Sequence, residues 1–334
     1  MRFKFLVLLT LLAGCVSFPS SPLLPNAEDA PSALSATEGR LQIFVPYIGQ
    51  GDATLILLPN EKTLLIDSGP ASTGPQGLLA LLDNLGIDRI DGLLITHYDW
   101  DHLGGVPGLI AGKDQKFETE DDIKIGQAWD RGTAPYDPSP GLPSYRESLA
   151  KKNIPLTAPV LGEDISLDPS VHIKVLAIDG QVSVFGQSQG VDLNLSAYAE
   201  QENGASIALL IEYGNFRYLT AGDLTGGGYL GGFLTPDLET LVAEAVGPVD
   251  VVHINHHGSM SSSNSAYVEA THPKSIFIQA GIHNAYGHPA PDVVKRWNEV
   301  GAEIFSTQDG QGYSLTSDGR NFSIEALDIS DTNN

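Results

Sequence analysis

The residue types that can do chemistry are concentrated in one short stretch, residues 96–105, which reads THYDWDHLGG. His97, Asp99 and Asp101 occupy alternate positions, so in an extended loop their side chains point the same way and His102 turns to the other side. Imidazole nitrogens and carboxylate oxygens are ligands of divalent metals, and one such loop can serve two adjacent ions. The spacing therefore predicts a site for two divalent ions, where metal-assisted hydrolysis is the expected chemistry.

Hydrophobic patterning predicts the elements that position this loop. The apolar run at 92–95 precedes it and a helix-like stretch follows it, so the ligands lie where a strand gives way to a helix. Strands are further predicted at 41–48, 53–58, 63–66, 171–178, 207–212, 216–219, 249–254, 275–279, 302–305, 312–316 and 322–326. Helices are predicted at 77–85, 237–246, 265–270 and 292–300. Two β-rich halves, each with helices, predict an α+β fold.

The stretch at about 112–201 differs from its flanks. It is rich in acidic residues, contains the sequence DPSPGLP at 137–143, and shows only short strand signals. We interpret it as an insertion over the metal face that shapes a substrate cleft, with surface decoration as the alternative. Trp129, Tyr136 and Tyr145 line a pocket on the first interpretation and pack locally on the second.

The metal loop resembles a known signature. Residues 97–102 resemble the H-x-H-x-D-H motif of the metallo-β-lactamase superfamily, with Asp99 in place of the second histidine. The longer form from Thr96 to Gly105 is similar to the metal-binding domain of ComEC-type DNA-internalisation proteins and their stand-alone relatives. Five further blocks agree in order: GQGDA at 49–53, LLIDSG at 64–69, LTAGD at 219–223, HHGS at 256–259 and YGHP at 286–289. The resemblance runs from about residue 41 to the C-terminus.

This resemblance implies a fold and a set of ligands. The fold is a four-layer αββα sandwich, with the active site along one edge between the two sheets. The implied ligands are His97 and Asp99 for the first ion, Asp101, His102 and His257 for the second, and Asp223 for both. Oxygen-rich ligation of this kind accepts Mn²⁺ as well as Zn²⁺, so the expected cofactors are two divalent ions, Zn²⁺ or Mn²⁺.

The first of these two sites lacks one ligand. Most superfamily members place a histidine before the strand that leads to the bridging aspartate, and here residues 202–206 read ENGAS. His172 alone lies between the metal loop and Asp223, in a strand-like run where a packed or surface histidine is expected. Glu202, Asn203 or a water molecule would then complete the first site, or the site is weak.

Three residues are candidates for catalysis. If His256 and His257 are extended, they point to opposite sides; we assign His257 to the metal and His256 to the substrate phosphate or leaving group, and the reverse remains open. His288 resembles phosphate-contacting histidines of phosphodiester-cleaving relatives and is a candidate general acid. Asp101 or Asp223 would orient the attacking hydroxide between the two ions.

Other polar residues are expected to support these groups. Asp52 and Asp67 are predicted to accept hydrogen bonds from metal ligands, which fixes the ligand orientation. Ser259 would hydrogen-bond a ligand or the phosphate.

Charge limits the class of substrate. The 334 residues carry a formal net charge of −23, so the long-range field repels polyanions and anionic membranes. Tight, sequence-independent binding of long nucleic acid normally uses a basic face, and this composition disfavours it. Phosphodiester chemistry remains compatible, because two divalent ions supply local positive charge.

The N-terminus predicts export. Arg2 and Lys4 precede the apolar run 5–13, which is too short to span a bilayer, and Cys15, the single cysteine, ends the sequence LAGC. This resembles a bacterial lipobox, so residues 1–15 are predicted to be a lipoprotein-type signal and Cys15 the lipid attachment site. Residues 16–40 are predicted to be a flexible linker to the membrane, and residues 41–334 the hydrolase domain.

The expected function is an exported, lipid-anchored binuclear hydrolase that uses a metal-bridging hydroxide on phosphodiesters. Its substrate would be a short nucleic acid or an envelope phosphodiester; protein partners are unknown. The alternatives are a hydrolase of lactones or β-lactams, which the replacement at Asp99 disfavours, and a surface-tethered binding module with a decayed metal site.

Overall fold

The computed structural model describes residues 39–328, except 138 and 196. The predicted signal segment, Cys15 and nearly all of the predicted linker therefore lie outside the described residues. Within the described part of the chain, no helix is both long and apolar enough to cross a membrane.

Two eight-stranded sheets form the body of the protein. The first sheet has the order β18-β17-β1-β2-β3-β4-β5-β6. Its strands are β1 (Leu41–Val45), β2 (Thr54–Leu57), β3 (Thr63–Ile66), β4 (Arg89–Leu94), β5 (Lys124–Trp129), β6 (Leu156–Thr157), β17 (Tyr313–Ser317) and β18 (Phe322–Ala326). Strands β3 to β6 run parallel to one another, so β3 and β4 deliver their carboxyl ends to the same edge of the sheet.

The second sheet has the order β16-β15-β14-β11-β10-β7-β8-β9. Its strands are β7 (Val171–Ile178), β8 (Gln181–Val184), β9 (Gln187–Gly190), β10 (Ala208–Tyr213), β11 (Phe216–Thr220), β14 (Val251–His253), β15 (Ser275–Ile278) and β16 (Glu303–Ser306). Strands β11, β14, β15 and β16 are parallel, and the metal-site residues of the second half follow the carboxyl ends of β11 and β14. A separate small hairpin is made by β12 (Tyr229–Leu230) and β13 (Phe233–Leu234).

The helices are short. They are α1 (Gly74–Leu85), α2 (Trp100–Leu103), α3 (Val106–Ile110), α4 (Leu142–Lys151), α5 (Gln201–Gly204), α6 (Glu239–Val246), α7 (Ser265–Thr271) and α8 (Pro291–Glu299). Two 3-10 turns lie at Asn255–Gly258 and Thr307–Asp309.

The hydrophobic core lies between the two sheets. Alternate residues of the first sheet, such as Ile43 and Ile66, pack against residues of the second, such as Val175 and Leu209, and all are nearly or fully buried. The opposite face of the second sheet packs against α6, α7 and α8 through residues that include Trp297. The fold class predicted from the sequence, an α+β sandwich of two large sheets with helices, is confirmed.

The stretch 112–201 was expected to be an insertion, and the structure differs from that expectation. It contributes β5 and β6 to the first sheet and β7, β8 and β9 to the second. The short strands β6, β8 and β9 lie at or near sheet edges, where partly polar sequences are tolerated, which explains why the sequence signal was weak. Trp129 and Tyr136 pack against the two hydrophobic clusters and Tyr145 is fully buried, so the local-packing interpretation describes them.

Candidate metal centre

The metal loop begins where β4 ends and is only partly extended. Asp99 has extended backbone angles, but Asp101 and His102 lie in the single helical turn α2, where His102 N–H donates to Asp99 O at 3.1 Å. The extended loop expected from alternation is therefore wrong beyond Asp99. Gly105 permits this compact path, because a Cβ at that position would lie 2.2 Å from Ser68 O.

Asp223 lies at the centre of the candidate site. It follows β11 through a tight turn at Gly222, whose φ of 52° favours glycine, and it is 2% exposed. Its Oδ1 lies 3.2 Å from His102 Nε2, and its Oδ2 lies 3.9 Å from His97 Nε2 and 3.7 Å from His257 Nε2. The carboxylate predicted to bridge two ions thus faces three buried imidazoles.

Two of these imidazoles are fixed by groups on the first sheet. His102 Nδ1 donates to Asp67 Oδ2 at 2.8 Å. Thr96 Oγ1 also donates to Asp67 Oδ2, at 2.7 Å. Because the single hydroxyl proton is used in that bond, Thr96 Oγ1 accepts from His97 Nδ1, at 3.1 Å. In both rings the acceptor keeps a proton on Nδ1, so Nε2 is the atom that faces Asp223 and would bind a metal.

The third imidazole is fixed in the same sense. His257 Nδ1 lies 2.9 Å from the carbonyl oxygen of Gln279 and 3.1 Å from Asp52 Oδ1, and both oxygens accept. Its Nε2 therefore presents a lone pair to Asp101 Oδ2, at 3.3 Å, as well as to Asp223. Asp52 and Asp67 thus occupy the places behind the ligands that their predicted supporting roles require.

This arrangement fits divalent cations. The Nε2 atoms of His97, His102 and His257 and Oδ1 of Asp223 are buried without a hydrogen-bond partner among the described residues. Ligand atoms lie within 4.8 Å of one another in three sets: His97, His102 and Asp223; Asp101, His102 and His257; and Asp52, Asp223 and His257. Lone pairs that face carboxylates repel one another unless a cation or proton lies between them, so the donor set fits metal ions.

The electrostatics agree with this chemistry. Burial lowers the pKa of His102 and His257, but Asp223 and the other carboxylates beside each ring together more than offset it, so both pKa values lie well above the usual range. Burial raises the pKa of Asp223, but His102 and His257 hold it well below its ordinary value. The carboxylate is therefore ionised and available as a ligand at neutral pH.

The two adjacent histidines are not extended. His256 and His257 have φ of 51° and 53°, within the turn that follows β14, so the expected opposite orientation is wrong. His256 Nε2 lies 3.6 Å from Asp223 Oδ2, as close as His257. Sequence reasoning did not anticipate this, because left-handed backbone is uncommon for non-glycine residues in general and has no sequence signal here.

Glu202, the first residue of the segment 202–206, is not free to bind a metal. Both carboxylate oxygens of Glu202 accept from the Arg131 guanidinium, at 2.7 to 3.1 Å, and also from Tyr98 N–H and Tyr136 N–H. Asn203 Nδ2 lies 3.3 Å from the His256 ring. Glu202 is thus committed to an ion pair, and the suggestion that it completes the first site is not supported by its contacts. His172 is exposed and pairs with Asp164 instead.

The remaining candidates lie around this cluster. Asp99 Oδ2 is 3.6 Å from His97 Nε2, and its side chain is 37% exposed. The His288 ring centroid lies 5.3 Å from that of His256. Burial, with the neighbouring His256 and His257, lowers the pKa of His288 to about 4, so a proton for a leaving group would require the negative charge of a bound substrate. The Ser259 hydroxyl lies 3.0 Å from the Ser261 hydroxyl, which in turn lies 3.1 Å from His256 Nδ1.

A pattern that the sequence reasoning missed occurs at 186–190, which reads GQSQG and matches the G-x-S-x-G motif of serine hydrolases. In those enzymes the serine lies on a sharp turn between a strand and a helix. Here Ser188 lies within the exposed edge strand β9, and its hydroxyl donates to Gln181. The motif therefore does not mark a nucleophile.

The fold and the ligand cluster together are similar to those of the metallo-β-lactamase superfamily. The model of the metallo-β-lactamase superfamily matches residues 46–149, which include Asp52, Asp67 and the metal loop. The chain is 24% identical over 285 residues to ComE operon protein 3 of Bacillus subtilis (strain 168), covering 78% of this chain and 30% of that protein. These matches confirm the predicted resemblance to the superfamily and, within it, to ComEC-type proteins.

Two further comparisons extend this picture. Competence protein ComA of Neisseria gonorrhoeae is 25% identical over 303 residues, covering 89% of this chain and 33% of that protein. The chain thus spans about a third of the length of these two relatives. Among solved structures, Zn²⁺-bound PqqB from Methylobacterium extorquens is 12% identical with a TM-score of 0.46, covering 79% of this chain and 97% of that one.

Proposed function

We propose that this protein is a binuclear metal-dependent hydrolase that cleaves phosphodiesters, exported and held at a membrane by lipid on Cys15. One observation carries the proposal: three buried imidazoles turn Nδ1 toward fixed acceptors and Nε2 toward one carboxylate, Asp223. Divalent cations fit between these groups, because they would take the place of the protons that the raised pKa values of His102 and His257 otherwise keep beside Asp223.

The residues have distinct tasks in this mechanism. Two bound ions would supply a nucleophilic hydroxide near neutral pH and neutralise the charge that develops on phosphorus. Asp223, which faces the three imidazole rings, would set the spacing of the two ion positions. The carboxylate of Asp101 lies 3.3 Å from His257 Nε2. It would accept a hydrogen bond from the nucleophilic hydroxide and so orient it. His288, at the mouth of the cluster, would contact a phosphate oxygen or the leaving group.

Three considerations favour phosphodiesters over carbonyl substrates. Two-metal sites suit in-line displacement at phosphorus, since both the attacking and leaving oxygens can be stabilised. Asp99 replaces the second histidine of the β-lactamase-like motif. The relatives include a ComE operon protein and a competence protein, in line with the predicted resemblance to ComEC-type DNA-internalisation proteins. The net charge of −23 favours short or non-nucleic phosphodiesters over long polyanions.

The test uses the full-length chain with its metal. Turnover of bis-p-nitrophenyl phosphate and of a chromogenic β-lactam is measured for the wild type, for Asp101→Ala/His102→Ala, and for His172→Ala, which removes an exposed imidazole outside the cluster. We expect phosphodiester turnover in the wild type and in His172→Ala, and its loss by at least 100-fold in the double variant. Unchanged phosphodiester turnover in the double variant, or turnover of the β-lactam alone, would overturn the proposal.

A further inference from the structure

The first metal position is short of an imidazole. His97 and Asp99 contribute a nitrogen and an oxygen 3.6 Å apart, and Asp223 contributes a second oxygen. Glu202, which stands where a further ligand is expected, has both oxygens saturated by Arg131 and two backbone N–H groups. A ligand for this position must come from another part of the chain.

His256, a further imidazole beside Asp223, is the candidate for that ligand. Its Nε2 lies 3.6 Å from Asp223 Oδ2, which is the separation that His97 Nε2 has from Asp99 Oδ2. On the other side of the ring, Nδ1 lies 3.1 Å from Ser261 Oγ and 3.8 Å from Glu200 Oε2. A hydroxyl and a carboxylate beside Nδ1 favour the proton there, which leaves a lone pair on Nε2, where Asn203 Nδ2, at 3.3 Å, can donate until an ion beside Asp223 takes its place.

The backbone is arranged to present both histidines at once. Two consecutive non-glycine residues in the left-handed region cost free energy, so the surrounding structure must hold them there. The turn is held by bonds from His256 N–H to Gly222 O at 3.1 Å and from Ser259 N–H to His256 O at 2.8 Å. The first of these ties the turn directly to the strand end that carries Asp223.

We propose that His256 ligates the first ion while His257 ligates the second, so that the adjacent histidines divide between the two metals. This assignment rests on the two-ion site of the proposed function and replaces the substrate-facing role predicted for His256 from the sequence. Ser261 and Glu200 are then positioning residues, which act by orienting the His256 ring.

The experiment counts ions. Full-length protein is stripped with a chelator, reloaded with Zn²⁺, and assayed for bound zinc by elemental analysis and for affinity by calorimetric titration. We expect two ions in the wild type and in His172→Ala, and one in His256→Ala, whose remaining ion keeps its wild-type affinity. Glu200→Gln and Ser261→Ala should weaken one of the two sites about 10-fold or more and leave the other unchanged.

The outcomes separate the two proposals. Two ions bound with wild-type affinity by His256→Ala overturn the assignment, whatever its activity. If His256→Ala does not fold, as judged by its thermal transition, Glu200→Gln and Ser261→Ala test the assignment instead. Unchanged zinc affinity at both sites in both of these variants overturns the assignment. A wild type that binds two ions but cleaves no phosphodiester overturns the proposed function and leaves the assignment of His256 to be decided by the same variants.

Discussion

Nδ1 of His102 lies 2.8 Å from Oδ2 of Asp67, and this contact decides what the other ring nitrogen can do. Asp67 also accepts from Thr96 N–H through Oδ1, at 2.8 Å, so its two oxygens have fixed roles. A histidine that donates through Nδ1 has its lone pair on Nε2, which is the form that binds a metal. Asp67 therefore determines which nitrogen of His102 can bind a metal, although Asp67 is not itself one of the proposed ligands.

Replacing Asp67 tests this relationship. In Asp67→Asn, Oδ1 can still accept from Thr96 N–H, but the amide nitrogen then faces His102 Nδ1, which must accept, so the proton moves to Nε2. We expect zinc affinity to fall about 10- to 100-fold, measured by calorimetric titration. Asp83→Asn, which changes an exposed carboxylate paired with Lys113, is the matched control and should bind zinc as the wild type does. Equal affinity in both variants would contradict the argument.

The buried pair of Arg131 and Glu202 should be a major contributor to stability. Arg131 is 2% exposed and Glu202 is 1% exposed, and without the Glu202 charge the buried guanidinium keeps only the partly exposed Asp179, 2.9 Å from its Nη1, as a charged partner. We expect Glu202→Gln to lower the free energy of unfolding by about 3 to 5 kcal/mol, measured by urea denaturation. Lys113→Ala, which breaks an exposed pair with Asp83, should cost less than about 1 kcal/mol. Similar losses of unfolding free energy in the two variants would show that the buried pair contributes no more to stability than the exposed pair.

Glu239 should make stability depend on pH. It is fully buried, and burial raises its pKa to about 7, although Ser263 N–H, Asn264 N–H and the Asn255 amide donate to it. Because the folded pKa exceeds the unfolded value of 4.5, the protonated form is favoured by folding. The linked stability is complete below pH 4.5 and is lost as pH rises through 7, by roughly 3 kcal/mol in all.

The variant Glu239→Gln removes that titration. Its unfolding free energy between pH 5 and pH 7.5 should fall less steeply than that of the wild type, even though its amide group leaves one backbone N–H without an acceptor and lowers stability overall. Urea denaturation at several pH values measures the slope. Parallel pH profiles for the two proteins would rule out Glu239 as the titrating group.

Metal removal should destabilise the fold. Ions that bind the folded cluster and not the unfolded chain stabilise by about 2.7 kcal/mol at 100 times their dissociation constant. We expect the thermal midpoint to fall on chelation and to rise again with added Zn²⁺ or Mn²⁺, recorded by calorimetry. Asp223→Asn, which weakens the shared ligand, should respond much less. A wild-type midpoint that ignores both chelator and metal would exclude a tightly bound ion.

Local sequence signals predicted the strands that build the sheet centres. The runs at 41–45 and 63–66 are apolar and short, and flanking turn residues delimit them, so each could be placed without knowledge of its neighbours. The metal loop was also recognisable, since its ligands are dense and follow a strand end. Edge strands such as β8 and β9 were missed, because their partly polar sequences resemble loops.

Long-range contacts could not be predicted in this way. Arg131 and Glu202 are 71 residues apart, and nothing in either segment indicates that they pair or that Glu202 is thereby unavailable to a metal. The left-handed conformation of His256 and His257 depends on Gly222 and on the packed turn around it rather than on the two residues themselves. Both features are set by tertiary structure, and both change how the first metal site is interpreted.

The central claim is that the Asp223 cluster binds two ions that are needed for hydrolysis. The most direct measurement is stepwise reloading of the chelated full-length protein with Zn²⁺ or Mn²⁺, with bound metal and turnover of bis-p-nitrophenyl phosphate followed together. The account predicts that metal content saturates at two ions per chain and that turnover appears as the second ion binds. Saturation at less than one ion, with no turnover at any metal concentration, would contradict it.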